Sequence, residues 1–193
     1  MKKIVIIGAN DFQNQLILKA KEMGFETHVF AWQDGSIGER TADYFYPVSI
    51  VEIDEILEKC KEIKPDAVAT IASDLANITV SKVAAGLGLP GNTPECIEIS
   101  TNKYAMRSAF LKAGIPTPAF YKVDQVQDEL YKMKLPVIVK PTDRSGSRAI
   151  TKITDFKDLE GAIRDAVEQS FEKKAIVEEY IEGNEYSYET ISY

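Results

Sequence analysis

Histidine is nearly absent from this 193-residue sequence, where His28 stands alone, and cysteine is scarce, with only Cys60 and Cys96. The two cysteines lie far apart and form neither a C-x-x-C nor a Cys/His pattern. Zinc sites built on histidine and cysteine, and catalytic triads that need an imidazole, are excluded unless His28 itself serves. His28 falls in the strand-like run Glu26 to Trp32 and reads as a core residue. No apolar run approaches the roughly 20 residues that cross a bilayer. The opening MKKIVIIGAN is too briefly apolar for a signal peptide and lacks a cleavage-like ending. A cytoplasmic protein with no membrane partner is expected. Positive charge is also in deficit: 23 basic against 30 acidic residues leave a net charge of −7. That balance disfavours a nucleic-acid partner while allowing a local basic pocket. The remaining composition, 45% hydrophobic and 27% charged, is that of an ordinary folded chain.

Periodicity divides the chain at about residue 100. Lys3 to Ile7 reads as a strand buried on both faces, stopping at Gly8. A helix follows, with Phe12, Leu16, Ala20 and Met23 as its stripe and Gly24 as its stop. Thr27 to Trp32 is a second strand, Ile53 to Ile63 a second helix ended by Pro65, Ala67 to Ala72 a third strand, and Leu75 to Leu87 a third helix closed by Gly88. This alternation predicts a doubly wound parallel sheet for residues 1–100, with ligands beyond the carboxyl ends of its strands. Two short helices, from Thr93-Pro94 and over Asn102 to Ala113, lead to a different pattern. Strands are expected at Ala119 to Val123, Pro136 to Lys140, Arg148 to Ile153, Ala175 to Tyr180 and Glu185 to Ile191. Helices are expected at Gln125 to Met133 and after Thr154-Asp155, the latter burying Phe156, Leu159, Ile163 and Ala166. Residues 101–193 therefore read as a small α+β unit, and the fold class overall is α/β.

Three places carry candidate chemistry. Gly8-Ala9-Asn10-Asp11 follows a strand and opens a helix, but one glycine stands where a dinucleotide fingerprint needs three, so an NAD-dependent oxidoreductase is disfavoured. The turn is left as either a plain connection or a cradle for a smaller anion on the helix N-terminus. Ser73-Asp74, after the third strand, could border the same crevice. The second place is Pro136-Val-Ile-Val-Lys140-Pro141, followed by Thr142-Asp-Arg-Ser145-Gly146-Ser147-Arg148. A lysine ending a buried strand is costly unless its ammonium meets an anion, and a serine-glycine loop can surround phosphate oxygens. The G-x-x-x-x-G-K-[ST] order of a P-loop is absent. The third is Val177-Glu178-Glu179-Tyr180-Ile181, with Glu185 beyond a glycine turn, a hinge against which a purine could lie.

In this order the pieces resemble the ATP-grasp superfamily, specifically its carboxylate–amine ligases and the large chain of carbamoyl phosphate synthetase. The resemblance spans the whole chain. It rests on Gly8 to Asn10, Leu87-Gly-Leu-Pro-Gly91, Asn102-Lys103, Met106-Arg107, Gly114-Ile-Pro116, Val137-Ile-Val-Lys140-Pro141, Ser145-Gly-Ser147 and Val177-Glu-Glu-Tyr-Ile181 with Glu185. It implies that Lys103 and Lys140 hold ATP phosphates under the loop Thr142 to Arg148. It also implies that Glu178, Tyr180 and Ile181 meet adenine, that Glu185 meets the ribose, and that a small carboxylate substrate is phosphorylated for attack by an amine. Two departures accompany it. Ala149 stands where members often place glycine. The acidic residues and asparagine that chelate Mg2+ have no counterpart before Tyr193, so an incomplete ATP-grasp unit, inactive by itself, is expected. The alternative is a noncatalytic nucleotide- or metabolite-binding module.

Overall fold

The Val- and Ile-rich run at the start forms strand β1 (Lys3–Ile7), whose alternate side chains, Ile4 and Ile6 against Val5 and Ile7, enter two separate cores. Burial on both faces is what a central parallel strand requires. In the computed structural model, which describes residues 1–186 and 188, β1 is flanked by β2 (Glu26–Phe30) and β4 (Ala67–Ala69), and β2 carries β3 (Tyr44–Tyr46) at its outer edge. All three pairings are parallel. The order β3-β2-β1-β4 runs outward from β1 and then returns to its other side, which puts the reversal of winding between β1 and β4.

Helix α1 (Asp11–Glu22) covers one face through Ile17 and Ala20; α3 (Ile53–Ile63) and α4 (Asp74–Leu87) cover the other through Ile56, Cys60, Ile63, Ala76 and Val83. A fully buried isoleucine such as Ile17 or Ile56 contributes about 1.5–3 kcal/mol. The stripe expected on α1 is rotated. Phe12 and Met23 are 65% and 64% exposed, and the inward positions are Gln13, Asn14, Ile17 and Ala20. Gln13 turns inward because its side chain is satisfied there: Oε1 accepts from the Asn10 N–H at 3.3 Å and Nε2 donates to the Ile71 carbonyl. Two elements lack a sequence signal, α2 (Ile37–Thr41) and β3, five and three residues long. His28 is a core residue, as expected. Its Nε2–H donates to Glu26 Oε1 at 2.9 Å, which leaves Nδ1 to accept from the Tyr46 hydroxyl at 3.0 Å, and its ring stacks on Tyr44.

Residues fall into two units, Met1–Thr101, which closes with α5 (Pro94–Thr101), and Asn102–Tyr193. The second opens with α6 (Lys103–Lys112) and contains an antiparallel sheet of order β5-β8-β6-β7: β5 (Phe120–Val123), β6 (Val137–Pro141), β7 (Thr151–Ile153) and β8 (Ala175–Glu179). Val123, Val137, Val139, Ala175 and Val177 pack beneath α7 (Leu159–Gln169), which contributes Leu159, Ile163 and Ala166 as its periodicity requires. The helix expected over Gln125 to Met133 is a single 3-10 turn at Asp128–Lys132, and the strand expected from Arg148 begins only at Thr151. The strand expected over Glu185 to Ile191 lies largely outside the described residues; Glu185, Tyr186 and Tyr188 are irregular.

Candidate functional site

Register decides which side chains share the second face of the antiparallel sheet. Ile138 pairs with Glu178 and Lys140 with Ile176, so these four project to the face opposite α7. Phe120 and Lys122, paired with Glu178 and Ile176, join them. Helix α6 meets this face: Tyr104 packs edge-on to Phe120 at 5.5 Å between ring centres. The start of α6 is fixed by Asn102, whose Oδ1 accepts from the Tyr104 and Ala105 N–H groups at 3.0 and 3.1 Å. Lys103 and Arg107, four residues apart, lie on one face of the helix.

Glu178 is the centre of this arrangement. The residue is 5% exposed, and its carboxylate accepts from Lys140 Nζ at one oxygen and from Arg107 Nε at the other, at 2.9 Å for the arginine. Burial pushes the carboxyl up. The hydrogen bonds from Arg107 and Lys140 outweigh burial and hold it below the usual glutamate range. The anion that the strand-end lysine requires is thus supplied from within the sheet. Lys103 meets the loop after β6: its N–H donates to the Thr142 carbonyl at 2.7 Å and its Nζ to the Arg144 carbonyl at 2.5 Å. Thr142 is two residues from Lys140, so both lysines attend the same strand end. Arg107 and Lys140 thus share one buried carboxylate, and Lys103 holds the adjoining loop.

The loop has a pinned base and an open tip. Thr142 is fully buried, with its hydroxyl donating to the Lys174 carbonyl at 3.2 Å. Asp143 accepts from the Phe171 and Glu172 N–H groups at 3.0 and 2.7 Å. Ser145, Gly146, Ser147 and Arg148 are exposed, and Gly146, Ser147 and Ala149 take φ of 74°, 55° and 50°. At the hinge, the Glu179 N–H is bonded to the Ala119 carbonyl and the Tyr180 N–H to the Pro136 carbonyl, while Lys152 lies 3.5 Å over the Tyr180 ring. Ile181 and Glu185 are exposed. The structure therefore assembles Lys140 with Glu178 and Lys103 with the loop base, and leaves the loop tip, Ile181 and Glu185 at the surface. Arg107 is the member to which sequence reasoning gave no role. Its four-residue spacing from Lys103 was the available signal.

In the first unit, Gly8, Asn10 and Ser73 line one crevice of about 280 Å³ at the carboxyl ends of β1 and β2 and after β4, where the winding reverses. Asp74 is not among its lining. The Asn10 side chain accepts from the Phe12 and Gln13 N–H groups at 2.9 and 3.4 Å, and Ser73 Oγ accepts from the Ala76 N–H at 3.2 Å. Among the described residues no group of three or more acidic, histidine or cysteine side chains could hold a metal ion, and no helix is long and apolar enough to cross a membrane.

Known proteins match this chain over most of its length. Residues 100–193 match the family model described as the ATP-grasp domain. The chain is 24% identical over 187 residues to formate-dependent phosphoribosylglycinamide formyltransferase of Prochlorococcus marinus, covering 93% of this chain and 48% of that protein. It is 24% identical over 163 residues to the carbamoyl phosphate synthase large chain of a Thermoanaerobacter species, covering 82% and 15%. The crystal structure of an L-amino acid ligase from Bacillus licheniformis superposes with a TM-score of 0.78 at 24% identity, over 95% of this chain and 45% of that one. The chain spans about half the length, or less, of these relatives.

Proposed function

We propose that this chain, whose residues 100–193 are an ATP-grasp domain, serves a ligase that joins a substrate carboxylate to an amine at the expense of ATP. The observation that carries the reading is the Lys140–Glu178–Arg107 cluster beside a loop held by Lys103. In the reaction, a carboxylate oxygen takes the γ-phosphoryl group and ADP leaves. The amine then attacks the acyl carbon, inorganic phosphate leaves, and the nitrogen gives up a proton. No side chain of the protein needs to act as nucleophile, which suits a chain with one histidine buried in a core.

The protein's part is positioning and charge neutralisation. Lys140 and Lys103 would meet phosphate oxygens at the end of β6, and Glu178, held between Arg107 and Lys140, orients the lysine there. The base of the 142–148 loop is anchored through Thr142 and Asp143, while its exposed serine-glycine tip can fold over the phosphates. The purine is assigned to the hinge at Glu178 to Ile181, with Glu185 toward the ribose. The Glu179 and Tyr180 N–H groups are already bonded to Ala119 and Pro136, so the backbone N–H contact at the hinge falls to Ile181. Magnesium accompanies the nucleotide, and the described residues supply no cluster to chelate it.

Isothermal titration tests the assignment. Mg-ATP should bind, and Lys140→Ala should weaken binding by more than tenfold with the far-ultraviolet circular dichroism spectrum unchanged. Equal affinity in the variant would remove Lys140 from the site, and no binding to the parent chain would remove the nucleotide.

A further inference from the structure

The ligation proposed above needs an amine as well as a nucleotide, and the crevice of the parallel sheet has the chemistry to select one. We propose that this crevice binds the amine substrate, as a small primary ammonium compound without a phosphate group. The inference rests on the ligase reading for the word substrate, but the binding itself does not depend on nucleotide.

Charge is the first argument. Among the described residues that line the crevice there is no lysine or arginine, and the one ionisable side chain is Asp34. Hydrogen bonds from the Ser36 hydroxyl and N–H to Asp34 Oδ1 hold its carboxyl below the usual aspartate range, so it is an anion at neutral pH. The second argument concerns backbone donors. A helix N-terminus at such a crevice ordinarily receives phosphate. Here two first-turn N–H groups of α1 are occupied by Asn10, the Asn10 N–H is occupied by Gln13, and the Ala76 N–H of α4 is occupied by Ser73. The cradle for an anion that the Gly8 turn suggested is thus partly filled by its own side chains.

What the crevice does offer suits a cation. The Trp32 indole, 67% exposed, lies on the lining two residues from Asp34. An aromatic face and a carboxylate together attract an ammonium group through the ring quadrupole and direct charge pairing. A volume of about 280 Å³ lies at the lower limit of small-molecule sites, about 300 Å³. That admits a compound the size of an amino acid.

Trp32 is the only tryptophan of the chain, so its emission reports on this crevice directly. L-alaninamide, inorganic phosphate and glycerol phosphate would be titrated separately into the 193-residue protein at constant ionic strength, without nucleotide. Alaninamide should change the emission saturably and the two phosphates should not. Asp34→Asn, which keeps the Oδ1 acceptor for Ser36, should weaken alaninamide binding at least tenfold. Ser49→Lys, which places a cation on the lining, should also weaken it and create a response to phosphate. Saturation by a phosphate in the parent protein, silence toward alaninamide, or affinity unchanged in Asp34→Asn would each overturn the proposal. A chain that binds alaninamide but not Mg-ATP would refute the ligase reading alone; the reverse result would refute this one alone.

Discussion

Glu178 accepts from two cations while almost wholly buried, and its removal leaves both without their anion. Breaking such a pair from one side costs more than the pair contributes, because the partners stay desolvated. Glu178→Gln should therefore destabilise the protein by about 2–4 kcal/mol in urea unfolding at neutral pH. The pH dependence follows from the direction of the shift. A carboxyl whose pKa is lowered on folding contributes its full stabilisation at pH above its unfolded value and loses it as pH falls through the folded value. The gap in stability between parent and Glu178→Gln should be constant near neutrality and narrow only in acid below the ordinary glutamate range. A gap that narrowed toward alkaline pH would contradict the arrangement. Ala149 makes a second residue-scale case. Its φ of 50° is left-handed, where a Cβ crowds the following carbonyl. Ala149→Gly should raise stability by about 0.5–1 kcal/mol, the left-handed relief less the entropy glycine adds to the unfolded chain. Urea unfolding measures it, and a loss would place the strain elsewhere.

Among the elements, α2 shows how a short helix can be held by one close approach. A Cβ built on Gly38 would lie 2.6 Å from the Ala9 carbonyl oxygen, while the Gly38 N–H donates to that same oxygen at 2.9 Å. Gly38→Ala must push α2 off the turn that follows β1, at a cost of about 1–3 kcal/mol, read as a lowered thermal midpoint. Because Ala9 and Asn10 line the crevice, the same variant should alter Trp32 emission in the absence of ligand. The long elements were legible because their apolar residues recur at the period of a helix or fill a central strand: β1 and α3 have the bounds their patterns indicate. Helix α2 and strand β3 were not, since five and three residues are too few to display a period. Gln125 to Met133 has a helical apolar spacing yet makes one 3-10 turn, and the fully buried Leu130 there is enough to anchor it to the core. The inward face of α1 was misread because a polar side chain, Gln13, takes an interior place once the Asn10 N–H and the Ile71 carbonyl supply its bonds.

For the molecule as a whole, two units with their own cores, two in the first and one in the second, give two separable responses to ligand. A ligand that binds only the folded form stabilises it by about 2.7 kcal/mol at a hundredfold excess over its Kd. Mg-ATP should slow amide hydrogen exchange in α6, β6 and β8 and leave β1 and β2 unchanged; alaninamide should do the opposite. Protection spread equally over both sheets by either ligand would argue against separate sites. The sequence by itself determined the alternation of strands and helices, the two kinds of sheet and the lone buried histidine, because periodicity and turn residues are local along the chain. Only the tertiary structure decided that Lys140 is answered by Glu178, that Arg107 joins them, and that Asn10, Gln13 and Ser73 occupy four of the N–H groups beside the crevice. Those are pairings across 2 to 71 positions of sequence. The longer of them exist only when sheet register and helix packing bring their side chains to the same face, and the shorter only when a helix has a defined first turn.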